Sequence, residues 1–343
     1  MAKILVTGGT GYIGSHTVVE LMNEGMDVVI VDNLSNSERL VLDGIEAISG
    51  RKPAFEEIDL RDRQATYGIF EQHPDIEAII HFAAFKAVGE SVQKPLAYYE
   101  NNLLSLIHLL EAMRRFGVDY LVFSSSCTVY GEPEHLPVTE AEPVKEASSP
   151  YGNTKQIGEE ILRDYLQAQS GKSVISLRYF NPIGAHPSAL IGELPIGIPN
   201  NLVPFITQTA AGIRDSLQVF GDDYETPDGS AIRDYINVVD LARAHVAAIG
   251  RMLQKKQKQD FEIFNLGTGK GLSVFEIIAA FENATGQKLN YRVAGRREGD
   301  IEKVWADTSL ANRELGWKAE KALEETLLSA WKWQQQLQEK NNA

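Results

Sequence analysis

A chain of 343 residues with 43% hydrophobic and 23% charged side chains has the composition of a soluble globular protein and the length for a sizeable core. Its formal net charge of −14 repels nucleic acid and anionic lipid, which argues against a general polyanion-binding role; an anionic ligand must meet a local cluster of positive charge. One cysteine, Cys127, excludes an internal disulfide and argues against a thiolate metal site. The start runs straight into a strand pattern without the apolar stretch of a signal peptide, and no apolar run is long enough to span a membrane. The expected location is therefore the reducing cytoplasm.

Residues 4–7 and 28–31 are short apolar runs that read as buried parallel strands, with an amphipathic helix over 13–24 between them. The pattern repeats with strands at 78–82, 120–124 and 173–179 and helices at 96–116 and 151–169. Such alternation predicts an α/β fold: a Rossmann-type doubly wound parallel sheet with helices on both faces. After Tyr179 the character changes. Residues 181–235 are rich in Pro, Gly and Asn and read as loops with a few helices, and long loops on a rigid scaffold commonly bind ligands. Helical patterns return at 239–253, 274–284 and 323–337, with a strand-like stretch at 262–265. The expected organisation is a cofactor domain over 1–180, to which about 235–265 returns, and a smaller C-terminal α/β substrate domain within 181–343. The basic run at 255–258 reads as a solvated loop, and the polar tail from Gln338 is expected to fray.

The first strand is followed by Gly8, Gly11 and Gly14 in G-x-x-G-x-x-G spacing and then by a helix. Glycines there permit a tight turn and close approach of the backbone to a pyrophosphate, and the helix N-terminus directs free N–H groups at the anion. A glycine-rich turn can also be purely structural. Asp32 at the end of the second strand strengthens the dinucleotide reading, because a carboxylate there accepts from ribose hydroxyls and repels a 2′-phosphate. That favours NAD over NADP.

Tyr151 and Lys155 lie four residues apart, on one helix face, with Pro150 in the first turn and Ser148 or Ser149 as cap. A phenol with a pKa near ~10 is a poor base at neutral pH, and a nearby ammonium favours its ionised form. Tyrosine tuned in this way can take a proton from a sugar hydroxyl while hydride leaves the same carbon. Ser126, just past the strand at 120–124, can hydrogen-bond the same hydroxyl. Tyr and Lys at this spacing are common on exposed helices; it is their combination with the glycine turn and the strand-end serines that resembles the extended short-chain dehydrogenase/reductase superfamily. In that superfamily the Tyr is the acid/base, the Lys tunes it and holds the nicotinamide ribose, and the Ser orients substrate.

Within the superfamily, the run from Ser124 to Gly131, the run from Asn181 to Pro187, Gly197 to Leu202, Phe220 to Gly229, Arg233 to Ile236, and Arg296 to Asp300 resemble the UDP-glucose 4-epimerase family. The resemblance extends from near the first residue to about Trp317. It implies that Tyr12 and Ile13 lie at the pyrophosphate, that Asp32, Asn33, Leu34, Ser35, Asn36 and Ser37 surround the adenosine ribose, and that Asp59 and Leu60 lie by adenine. It further implies that Phe82, Ala83, Ala84, Phe85 and Lys86 line the centre of the NAD site, with Lys86 near phosphate. Asn101, Ser126, Tyr151, Lys155 and Phe180 complete that site. The implied sugar-nucleotide set is Lys86, Ser126, Tyr179, Asn181, Asn201, Leu202, Phe220, Arg233, Tyr235, Arg297, Asp300 and Val304. Arg233 and Arg297 supply positive charge for a diphosphate, and Phe220 a flat face for a base. His81, His186 and Cys127 lack metal-ligand spacing and are expected to be structural.

The reaction implied is interconversion of UDP-glucose and UDP-galactose through a 4-keto sugar, with NAD regenerated each cycle. Asn237 replaces a usual His, and Ala84 a frequent Gly. Val304 stands where relatives restricted to plain hexoses carry Tyr, which implies additional activity on UDP-GlcNAc and UDP-GalNAc. Helices matching 96–116 and 151–169 imply a homodimer paired through a four-helix bundle, although apolar residues on two helix faces could equally be internal core. A sugar-nucleotide 4,6-dehydratase needs an acidic pair after the catalytic Ser or Thr, whereas Cys127 and Thr128 follow Ser126. A decarboxylating relative stays open. So does a non-catalytic NAD-binding regulator, although such a protein usually loses the Tyr or Lys.

Overall fold

The computed structural model of the chain describes residues 2–297 and 300–342; Glu298 and Gly299 of the run at 296–300 lie outside the described residues. The first apolar run forms β1 (Lys3–Thr7), whose Ile4, Leu5 and Val6 are fully buried, as continuous apolar strands are when helices cover both faces. It is followed by α1 (Tyr12–Asn23), β2 (Asp27–Asp32), α2 (Leu40–Ser49), β3 (Ala54–Glu57), α3 (Arg63–Gln72) and β4 (Ile76–His81). Asp62 caps α3 by accepting from the backbone N–H groups of Gln64 and Ala65. Then come α4 (Val88–Gln93), α5 (Pro95–Phe116) and β5 (Tyr120–Ser126). Pro95 opens α5 and left-handed Gly117 closes it. A 3₁₀ turn (Cys127–Tyr130), α6 (Pro150–Ala168) and β6 (Ser173–Tyr179) follow.

The remaining elements are β7 (Asn181–Ile183), α7 (Leu202–Ala210), β8 (Leu217–Phe220), β9 (Ile232–Arg233), β10 (Tyr235–Asn237), α8 (Val238–Leu253), β11 (Phe261–Leu266), β12 (Leu272–Ser273), α9 (Val274–Thr285), β13 (Tyr291–Ala294), β14 (Lys303–Val304), α10 (Ser309–Glu314) and α11 (Leu323–Asn342). Seven parallel strands form the central sheet in the order β11-β6-β5-β4-β1-β2-β3. The chain builds outward from β1 to β3, then reverses from β4 to β11. The switch between β1 and β4 leaves a crevice at their carboxyl ends, where ligands of such sheets bind. One core lies under α1 and α8, around Val18, Ile30, Leu241 and Ile249. The other lies under α3, α5 and α6, around Ile69, Leu109, Phe123 and Leu162. A third core gathers α7, α9 and α11 around Ile206, Phe281 and Trp331.

Several boundaries differ from the sequence expectation. Strand β5 extends to Ser126, because its ladder with β6 continues until Ser126 faces Tyr179. Phe82 falls outside β4. Only one helix, α7, interrupts the described residues of 181–235. Helix α11 runs past Gln338 to Asn342, and Gln338 Nε2 donates to the Ala211 carbonyl at 3.0 Å. Among the described residues no helix is long and apolar enough to cross a membrane.

Candidate active site

The glycine turn brings backbone against backbone. Gly8 has φ +69°, and a Cβ there would lie 2.8 Å from the Ala83 nitrogen; a Cβ on Gly14 would lie 2.2 Å from the Gly8 carbonyl oxygen. Gly11 is the N-cap of α1, with no side chain capping the first turn and no acidic residue in it. The backbone N–H groups of Tyr12, Ile13 and Gly14 therefore begin a helix of twelve residues at the carboxyl end of β1, which is a fit for a pyrophosphate. Asp32 closes one side. Its carboxylate accepts from Leu34 N (3.0 Å), Ser37 Oγ (3.2 Å) and Thr10 N (3.3 Å), folding the turn through Ser35 and Asn36 back over the glycines. Asn33 Nδ2 donates to Asp59 at 3.2 Å, which places the predicted ribose and adenine groups side by side. The hydrogen bond from Arg61 holds the Asp59 carboxyl down at about 2. Leu60 is buried, and its carbonyl accepts from His108 Nδ1 at 2.9 Å.

Across the crevice, Phe82 N donates to Thr7 O (3.0 Å) and Ala83 N to Thr7 Oγ1 (3.4 Å). Asn102 was not anticipated from sequence. It clamps Phe85 from both sides, accepting from Phe85 N at 2.8 Å and donating to Phe85 O at 3.0 Å, and it accepts from Asn101 Nδ2 at 3.0 Å. Its amide also reaches Thr154 Oγ1 at 3.0 Å, tying the segment through Ala84 and Lys86 to α6. Lys86 Nζ lies 5.7 Å from the Tyr12 ring centroid.

Helix α6 is capped by Ser149, whose hydroxyl accepts from Gly152 N at 3.2 Å, and Pro150 occupies the first turn. One turn apart on it stand Tyr151 and Lys155. Lys155 Nζ donates to the Ser124 carbonyl at 2.7 Å and lies 5.9 Å from the Tyr151 ring centroid. Ser126, at the end of β5, accepts from Thr128 N at 3.3 Å, and its hydroxyl acts on the Tyr151 phenol to lower it. Burial dominates the electrostatics of the pair. It pushes the Tyr151 phenol up to about 12 against the lowering influence of Ser126. It also pulls the Lys155 ammonium down to about 7 against the attraction of Glu159. In the chain by itself, desolvation favours the neutral form of both groups.

Glu159, one turn beyond Lys155, was also missed. It is buried and accepts from Ser125 Oγ (2.7 Å), Ser176 Oγ (2.9 Å) and Arg178 Nε (2.9 Å), so it ties α6 to β5 and β6. Burial raises its carboxyl, but Arg178 and the two serines outweigh that and hold it below the usual range. The signal in the sequence was the continuation of the Tyr–Lys spacing to a third polar residue on an otherwise buried face. Tyr179 hydrogen-bonds Ser124 Oγ and packs 5.7 Å from the His245 ring. Phe180 is buried beside Val304 in a cluster with Val129 and Tyr130.

The predicted sugar-nucleotide residues gather on the short strands. Asn181 on β7 faces Tyr235 on β10, and Arg233 on β9 faces Val304 on β14. Asp300 joins the two arginines: it accepts from Arg297 at 2.6 and 3.1 Å, and lies 3.8 Å from Arg233 Nη2. The Arg297 guanidinium lies 5.6 Å from the Phe220 ring centroid. Asn201 opens α7, with Leu202 as its first residue. Asp234, inside the motif from Arg233 to Ile236, is fully buried and fixes this region. It accepts from Thr268 N and Oγ1, Gly269 N and Ala306 N at 2.7–3.2 Å. Asn237 is accommodated as the cap of α8, accepting from Val239 N and donating to Thr326 Oγ1. Among the described residues no group of three or more His, Cys, Asp or Glu is placed to hold a metal.

A glycine cradle at a topological switch point and a Ser–Tyr–Lys set at the adjoining strand end define the short-chain dehydrogenase/reductase class. The family model described as GDP-mannose 4,6 dehydratase matches residues 5–329. The UDP-glucose 4-epimerase of Bacillus subtilis (strain 168) is 53% identical over 331 residues, covering 96% of each chain. A solved UDP-glucose-4-epimerase from Stenotrophomonas maltophila, with bound NAD and formylated UDP-arabinopyranose, superposes with a TM-score of 0.95 at 48% identity, covering 99% of this chain and 100% of that one. The Bifidobacterium longum UDP-glucose 4-epimerase in complex with NAD+ and UDP gives 0.94 at 46%, covering 98% of each. The chain belongs to the UDP-glucose 4-epimerase family of the extended short-chain dehydrogenases/reductases. The dehydratase description of the broader family does not extend to this site, where Cys127 and Thr128 stand in place of an acidic pair.

Proposed function

We propose that the chain is an isomerase that interconverts UDP-glucose and UDP-galactose at C4 through a 4-keto sugar, with NAD as resident cofactor. The observation that carries this reading is the meeting, at one crevice, of the glycine cradle, the Ser126–Tyr151–Lys155 set and the Arg233–Arg297 pair. When bound, NAD supplies the hydride acceptance and return at C4. Asp32 and Asp59 take the adenosine end, and the α1 N-terminus takes the pyrophosphate. Tyr151 in its ionised form removes the O4 proton and later restores it. Lys155, one turn along α6 with its Nζ 5.9 Å from the Tyr151 ring centroid, supplies positive charge that favours that phenolate. Ser126 orients the hydroxyl, and Arg233 and Arg297 hold the diphosphate while the sugar turns over.

Val304 is smaller than the tyrosine that relatives restricted to plain hexoses carry at this position, and on that ground the activity extends to UDP-GlcNAc and UDP-GalNAc. Residues 1–180, with 235–265 returning, carry the cofactor, and 181–343 mainly carry the sugar nucleotide. Helices α5 and α6 pair across a homodimer, and the single free cysteine suits the reducing cytoplasm.

The test is to incubate purified protein with UDP-galactose and no added NAD, and follow the anomeric signals by NMR. UDP-glucose should appear, and Tyr151→Phe should abolish it. No conversion even with NAD supplied would defeat the reading, and turnover retained by Tyr151→Phe would defeat the assigned base.

A further inference from the structure

Glu193 lies outside every motif singled out in the sequence, yet its carboxylate sits among the residues assigned to the two diphosphates. Its backbone is fixed from behind. The Glu193 carbonyl accepts from Trp333 Nε1 at 2.8 Å, and a Cβ added at Gly192 would lie 2.5 Å from the Trp333 ring, so the chain packs flush on the indole. A β-bridge from Gly192 to Ala185 holds the same segment. The side chain, 12% exposed, directs one oxygen at donors from opposite sides of the crevice. Glu193 Oε1 accepts from Asn201 Nδ2 at 2.6 Å and from Lys86 Nζ at 3.3 Å. Lys86 is 45% exposed and can turn toward another anion, whereas Glu193 cannot follow it. After burial itself, the charge of Glu193 is the second cause raising the Tyr12 phenol.

We infer that Glu193 sets how tightly the sugar nucleotide is held, by competing with its diphosphate for Lys86 and Asn201. The inference rests on the UDP-sugar reading above. A ligand that claims either donor leaves a largely buried carboxylate short of partners and close to further negative charge, and both effects oppose binding. Glu193 thereby weakens UDP binding and favours release of the product. Its action is through Lys86 and Asn201, so it is a positioning residue.

The experiment is calorimetric titration of UDP into the purified, cofactor-loaded protein, wild type against Glu193→Gln and Glu193→Ala. Both substitutions remove the charge, and the first keeps an acceptor for Asn201. The expected result is UDP binding tightened about tenfold, equivalent to about 1.4 kcal/mol, in both variants. KM for UDP-galactose should fall with it, and kcat should not rise. A merely structural residue would, on substitution, loosen UDP or leave it unchanged. Either of those results in a folded variant overturns the inference. If the wild-type protein itself fails to bind UDP, the underlying UDP-sugar reading falls instead.

Discussion

Lys155→Met should stop epimerisation yet stabilise the protein, and more so in mild acid than in alkali. Burial lowers the Lys155 ammonium from 10.5 to about 7, and a fall of that size corresponds to about 5 kcal/mol at about 1.4 kcal/mol per pH unit. The sign follows from proton counts. Below about pH 7 both the folded and unfolded chains carry the proton, and the cost of burying it is fully present. Between about 7 and 10.5 the unfolded chain holds a proton that the folded chain lacks, so wild-type stability rises with pH. Above that window the contribution is gone. Methionine has no charge to desolvate, but it orphans the Ser124 carbonyl, which costs about 1–3 kcal/mol. The variant should therefore be more stable than wild type by about 2–4 kcal/mol near pH 6.5 and show no advantage near pH 10. Urea unfolding across that range measures the difference, and NMR turnover of UDP-galactose should fall by a factor of about 100 or more. A variant less stable than wild type near pH 6.5, or a difference that does not change with pH, would refute the burial argument.

Gly14→Ala forces a Cβ to 2.2 Å from the Gly8 carbonyl, where backbone meets backbone. It should abolish NAD binding, measured by the cofactor released on denaturation, and lower the melting temperature. Glu159→Gln strands Arg178, whose side chain is 2% exposed, without its counter-charge, and should cost about 3–5 kcal/mol in chemical unfolding. Adding Arg178→Met should recover much of that loss. Val304→Tyr should suppress conversion of UDP-GlcNAc while leaving that of UDP-galactose measurable in the same NMR assay. Equal losses on both substrates would mean that the ring simply overfills the buried cluster around Phe180 and Tyr130.

Elements whose causes are local are legible in the order of residues. A strand covered on both faces requires a continuous apolar run, a tight turn over a helix N-terminus requires glycines at fixed offsets, and two side chains share a helix face when they are four residues apart. Those rules suffice for the alternating sheet, the Gly8–Gly14 cradle and the Tyr151–Lys155 pair. They also carried the motif-based resemblance, since each motif is short and contiguous. The short elements α2, β3 and α3 escaped because their apolar patterns are brief, and the helical tail past Gln338 because its anchor, Ala211, is remote in sequence.

Which distant residues share charge and hydrogen bonds depends on how the chain packs in three dimensions. Glu193 and Lys86 are 107 positions apart, and Asp234 and Ala306 are 72 apart. No local period brings such groups together, and only chain crossings do. The same holds for the electrostatics of the catalytic pair. Spacing puts the Lys155 ammonium near the Tyr151 phenol, but the packing of α6 on β5 and β6 removes water from both. Desolvation then outweighs Ser126 at the phenol and Glu159 at the ammonium, pushing the phenol up and the ammonium down.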